Sequence, residues 1–194
     1  QAPTTPAPTP PVIEAGAVPV TPFPSALVLH SRPGSQNVIY LDIDGEDVSG
    51  TQWNSPERSL IPAGAFSTDA DFTTFSDSEQ TAIKRVWERV AEDYAPFDVD
   101  VTTARPITFT TRTAHALITR NTDVNGDPNP SSTAGGVAYV NVFASGSYAT
   151  YRPAWIYFNN LSSSESYIAE AVSHEIGHNL GLSHDAKTDG TSYY

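Results

Sequence analysis

Apolar positions in this chain recur at two spacings, every second residue and every third or fourth, and the two patterns predict different elements. "VIYLDIDG", from Val38, is a β-branched and aromatic run closed by a turn, which predicts a strand. "TFSDSEQTAIKRVWERVAEDYAPF" changes period: Ile83, Val86, Trp87, Val90 and Tyr94 fall on one helical face. Ser76 and Glu79 before them fit a capping box, and Pro96 stands past the end. "FDVDVTT", "AHALITR", "GGVAYVNVFA" and "PAWIYFNN" return to strand-like patterns. "SSSESYIAEAVSHEIGHNLG" is helical again, with Ile168, Val172 and Ile176 on its apolar side. Ser162 and Glu165 offer a second capping box there, and Gly181 is placed to end the helix.

The order strand, helix, four strands, helix predicts an α/β (α+β) sandwich with a mixed sheet. Residues 1–35 stand apart. Over residues 1–24 proline and threonine dominate, so an extended or disordered leader is expected, either a linker or a propeptide remnant. Residues 36–194 then form one domain, long enough to bury a core.

Composition narrows the function classes. The net charge is −12, so phosphate-rich nucleic acid and anionic lipid are poor partners. No cysteine is present, which removes disulfides, cysteinyl metal sites and thiol catalysis. No apolar run approaches the roughly 20 residues of a membrane span. The chain opens on Gln1, which suggests a leader removed upstream.

The chemistry is concentrated in "HEIGHNLGLSHD", His174 to Asp185, which holds three of the five histidines. Residues i and i+4 share a helical face, so His174 and His178 can aim two imidazoles at one point. Glu175 lies close enough to act on a metal-bound water without being a ligand. Gly181 permits a left-handed turn, which can bring His184 back as a third ligand. Three protein ligands leave a tetrahedral zinc with one open position, the mark of a catalytic site.

This motif resembles the zinc signature HExxHxxGxxH of the metzincin metallopeptidases, and Asp185 after the third histidine resembles the reprolysin (adamalysin) branch. "VIYLDIDGEDVSGTQWN" and "FSDSEQTAIKRVWERVAEDYAPFDVDVTT" extend the likeness to secreted bacterial metzincins over roughly residues 36–194. The resemblance implies a zincin N-terminal subdomain: a mixed, mostly parallel five-stranded sheet with two long helices. It implies a secreted zinc endopeptidase that hydrolyses peptide bonds by zinc-activated water. His174, His178 and His184 would hold Zn2+, Glu175 would be the general base, and Asp185 would support the site from below. Gly136, Val137 and Ala138 would form the edge strand that docks an extended peptide or protein substrate.

One departure is plain. Metzincins carry a methionine turn downstream of the third histidine, yet this chain has no methionine, and only "AKTDGTSYY" follows Asp185. The C-terminal subdomain is therefore expected to be missing or truncated, with a C-terminal remainder of the same protein as a partner. Two acidic turns are calcium candidates: Asp42 and Asp44 in "LDIDGED", and Asp123, Asn125 and Asp127 in "NTDVNGDPNP". Two rival functions stay open, a non-catalytic metzincin-like module that binds peptides or surfaces and a zinc-stabilised structural fragment.

Overall fold

A computed structural model describes residue 20, residues 22–69 and residues 71–184. Its elements are β1 (Val38–Asp42), β2 (Glu46–Ser49), β3 (Leu60–Ala63), α1 (Asp77–Asp93), β4 (Asp100–Thr102), β5 (Thr113–Thr119), β6 (Gly136–Val137), α2 (Tyr148–Tyr151), β7 (Ala154–Tyr157) and α3 (Glu165–Asn179). The main sheet has five strands in the order β4-β1-β5-β7-β6. β4, β1, β5 and β7 run parallel, and β6 lies antiparallel to β7 on the edge. This is the expected mixed, mostly parallel sheet with two long helices. β2 and β3 form a separate antiparallel pair that the sequence pattern did not predict. No helix among the described residues is long and apolar enough to cross a membrane.

The strands read as continuous apolar runs because both faces are covered. Ile39, Leu41, Ala114, Ala116, Ile118, Ala154 and Ile156 face α1 and α3, which contribute Ile83, Val86, Val90, Ile168, Val172 and Ile176. Burying each large aliphatic side chain stabilises the fold by about 1.5–3 kcal/mol. Leu117, Trp155 and Tyr157 alternate to the opposite face and pack with Val48, Ile61 and Ala63 of the hairpin.

The capping box of α1 forms as read: Ser76 accepts from the Glu79 amide, and Glu79 accepts from the Ser76 amide. The second box does not form. Ser162 and Ser163 take positive φ values of 57° and 52°, the helix starts from Ser164, and its cap makes no side-chain hydrogen bond. Glu165 instead meets Arg85 of α1 at 3.1 Å.

Two further expectations are corrected. The leader assigned to residues 1–35 does not stand apart over its described part. Val20 and Leu27 are buried in the main core. Leu27 and Leu29 accept hydrogen bonds from Thr103 and Thr102, and the carboxylate of Asp100 takes His30 at 2.7 Å and the Arg32 amide at 2.9 Å. Apolar residues spaced through "VTPFPSALVLH" drive this docking, despite the prolines. Strand β6 is also far shorter than "GGVAYVNVFA". Asn141 and Ala144 adopt positive φ, and the Asn141 and Phe143 amides donate to His178 and Asn179 at the end of α3. The chain leaves the sheet to satisfy helix carbonyls that have no partner within the helix.

Candidate active site

Helix α3 ends in a turn that positions the histidines. The Leu182 amide donates to Gly177 at 2.9 Å and the Gly181 amide to His178 at 2.9 Å. These are the two bonds of a Schellman motif, which needs a left-handed residue between them. Gly181 supplies it with φ +101°, and a Cβ there would lie 2.6 Å from Asn141 Oδ1. The chain thereby reverses over His178 and returns His184 to the helix face.

The three imidazoles meet through their Nε2 atoms. His184 Nε2 lies 2.9 Å from His174 Nε2 and 3.1 Å from His178 Nε2. Leu182 offers only a carbonyl oxygen, so at 2.8 Å it fixes His178 Nδ1 as the donor. The Nε2 lone pair is then left facing the other rings, an outer hydrogen bond of the kind that orients metal ligands. Burial, with the neighbouring His178 and His184, pushes the proton affinity of His174 below the ordinary histidine range.

Glu175 follows His174 on the helix and lies against the sheet edge. It is 6 % exposed, and burial pushes its pKa up to about 7. Gly136 of β6 packs directly on it. A Cβ at Gly136 would lie 2.8 Å from Glu175 Cγ and 2.9 Å from Glu175 Oε1. A cleft of about 430 Å³ opens here, between Gly135–Gly136, Leu161 and the α3 face from Tyr167 to Glu175, with His184 at its rim. A smaller recess of about 190 Å³ lies beyond the triad, against Gly177, His178 and Leu182.

The structure thus brings His174, His178, His184, Glu175, Gly181 and Gly136 together. Val137 completes β6 and packs toward Trp155 on the hairpin side. Ala138 lies past the strand and packs against the main core. Asp185 lies outside the described residues. Two asparagines escaped the sequence reading. Buried Asn179 donates from Nδ2 to the Tyr139 carbonyl at 2.9 Å, and the Asn141 amide donates to His178. Both tie the loop after β6 to the helix end. Their only sequence signal is their nearness to the motif and the edge strand.

These features, a histidine triad and a buried carboxylate beside an edge strand on a mostly parallel sheet, define a metallopeptidase site. Over residues 65–185 the chain matches metallo-peptidase family M12B, reprolysin-like, and it belongs to that family. It is therefore a reprolysin-like metzincin, a class of zinc-dependent peptidases. Comparison with curated proteins and with solved structures gave no match.

The residues fit the zinc that the family implies. Nitrogens held around tetrahedral zinc at about 2.0–2.1 Å stand roughly 3.3 Å apart, close to the spacing of the triad. A metal-binding imidazole must also be unprotonated, which is the state favoured for His174.

The calcium candidates are a different matter. Asp123 Oδ1 accepts from the Asn125 and Asp127 amides at 2.9 and 3.0 Å, and Oδ2 pairs with Arg58 at 2.7 Å. The Asn125 and Asp127 side chains are exposed. A guanidinium and two amides already supply the positive partners of that turn, which accounts for its acidity without an ion. At the other turn, Asp42 lies with Glu46 and His115, their ligand atoms within 4.8 Å of one another. Arg105 occupies this group, 2.5 Å from Glu46 and 3.8 Å from Asp42. Asp44 adjoins Asp42 and accepts from the Tyr40 hydroxyl at 3.3 Å. Burial pushes Asp42 and Asp44 up to about 7 and His115 down to about 3. A neutral His115 therefore donates from Nε2 to Asp42 Oδ2 at 2.8 Å, in a network stacked between Tyr40 and Phe109.

This network ties β1 to β5 on the face away from the helices. Asp42→Ala would leave fully buried His115 without its acceptor. The substitution is expected to destabilise the fold by about 3 kcal/mol. Urea denaturation measures it, and a loss below about 1 kcal/mol would contradict the role given to the pair.

Proposed function

We propose that the chain is the catalytic part of a secreted bacterial zinc endopeptidase, with His174, His178 and His184 as the ligands and Glu175 as the group that moves the proton. The observation that carries this reading is the convergence of three Nε2 atoms beside a buried carboxylate at a sheet edge. Zinc, when bound, supplies a Lewis acid that polarises the scissile carbonyl and lowers the proton affinity of water. The protein supplies the rest. Glu175, raised toward neutrality by burial, takes a proton from the attacking water and returns it to the leaving amine. Gly136 leaves space for that carboxylate between strand and helix. The free side of β6 offers backbone donors and acceptors to an extended segment, which aligns one peptide bond with the triad. The wider resemblance of the sequence is what supports the secreted bacterial setting in this reading.

A non-catalytic peptide-binding module would have no use for a carboxylate at this position with a raised pKa. Digestion of denatured casein, followed by mass spectrometry, separates the two readings. Internal cuts are expected in extended or unfolded segments, well before any in rigid folded cores. A model peptide with proline moved one position at a time tests the docking strand itself. Where the substrate N–H must reach β6, proline has none to give, and cleavage is expected to slow by about fivefold for each bond of on the order of 1 kcal/mol. Rates indifferent to proline at every position would remove β6 from the docking role.

A further inference from the structure

We propose that Glu170 and Tyr167 make this site select a basic side chain, Lys or Arg, beside the scissile bond; the inference rests on the peptidase reading above. Tyr167, Glu170, Ala171 and His174 follow one another at helical spacings of three, one and three, so they share one face of α3. That face is the wall of the cleft of about 430 Å³ that opens beside Glu175. His174, Glu175 and His184 also line this cleft, so it is open to a substrate side chain next to the bond held at the triad.

The lining sets the chemistry of the occupant. Among the described residues that line it, the charged side chains are Glu170 and Glu175, and none is a lysine or arginine. Glu170 is exposed and makes no hydrogen bond or ion pair among the described residues, whereas Glu165 on the same helix is held by Arg85. A carboxylate at a cleft wall with no cationic partner among the described residues favours a cation and opposes an acidic side chain. Tyr167, 55 % exposed, offers a ring face to a cation. Leu161 and Ala171 offer apolar surface to the methylene stem of a long basic side chain. The overall charge of −12 adds a field of the same sign.

The test uses the zinc-loaded full chain and peptides that differ only at the residue on either side of the cleaved bond, carrying Arg, norleucine or Glu. At one of the two positions, kcat/KM for Arg is expected to exceed that for norleucine at least tenfold, with Glu the poorest. Glu170→Gln is expected to lower the Arg to norleucine ratio by about tenfold, and Glu170→Lys to favour Glu over Arg. Glu88→Gln, an exposed change on α1 at a residue that does not line the cleft, serves as the control and should leave the ratio as it was. Raising salt should shrink the ratio in the unmodified protein and not in Glu170→Gln. An active protein with a ratio near one, or a ratio that Glu170→Gln does not move, would overturn the selectivity while leaving the peptidase reading intact. Cleavage of none of the peptides would overturn the peptidase reading, and the selectivity with it.

Discussion

Glu175→Gln is expected to keep its zinc and to lose turnover by about 10²–10⁴-fold, the range that a positioned general acid–base group contributes. The amide has almost the shape of the carboxylate, so Gly136 and the sheet edge should still accommodate it. It cannot accept a proton from water and return it to an amine. The loss should therefore fall on kcat, with KM changed little, because strand β6 and not Glu175 carries the docking. Elemental analysis and steady-state kinetics on the same preparation measure both halves. A variant as active as its parent would remove Glu175 from the mechanism, and one that had lost its zinc would make it a ligand or a folding determinant instead.

The second large effect separates ligand from base. His178→Ala should lose metal and activity together. His178 is the triad member whose tautomer the fold fixes, since Leu182 accepts from Nδ1 and leaves Nε2 free. Its removal takes away a donor atom and also the side-chain contact that holds the Leu182 carbonyl on the way to His184. Losing a mere outer hydrogen bond weakens metal affinity by about 10–100-fold, so losing this ligand should exceed that range. Zinc affinity measured by competition with a chromophoric chelator gives the number. A loss of less than about tenfold would mean that the metal is held elsewhere.

The parts of the molecule that were legible in the sequence are those whose physics is local. The Ser76–Glu79 box and the apolar positions of α1 are set within one helix, and both appear as read. The same holds for the triad: i,i+4 spacing followed by a glycine suffices to place three imidazoles. The features that escaped depend on residues distant in sequence. Strands β2 and β3 are four residues each, and each lays only part of its length in the core. Their link is closed by Asn54, whose side chain accepts from the Thr51 amide at 3.0 Å and donates to the Val48 carbonyl at 2.9 Å. Nothing in a short "EDVS" distinguishes it from a loop until Ile61 comes to face Val48.

Polar residues misled in the same way. Nothing in the spacing of "FDVDVTT" singles out Asp100, yet it is buried and holds the segment around His30 and Arg32. Asp123 reads as a calcium ligand until Arg58 arrives from the link between β2 and β3. In each case the deciding partner is a cation or amide donor from a remote segment, invisible to spacing and composition. Ser162 and Glu165 had the right spacing for a cap, but the backbone of two serines turned left-handed and Arg85 claimed the glutamate.

The central claim is that three histidines and one glutamate make this chain a zinc peptidase. Metal content and cleavage, followed together, test it most directly. The purified protein is expected to carry about one zinc per chain. Dialysis against a chelator should remove that zinc and the casein cleavage in parallel, and added zinc should restore both. Protein that contains no zinc and cleaves at a rate the chelator does not change would contradict the account.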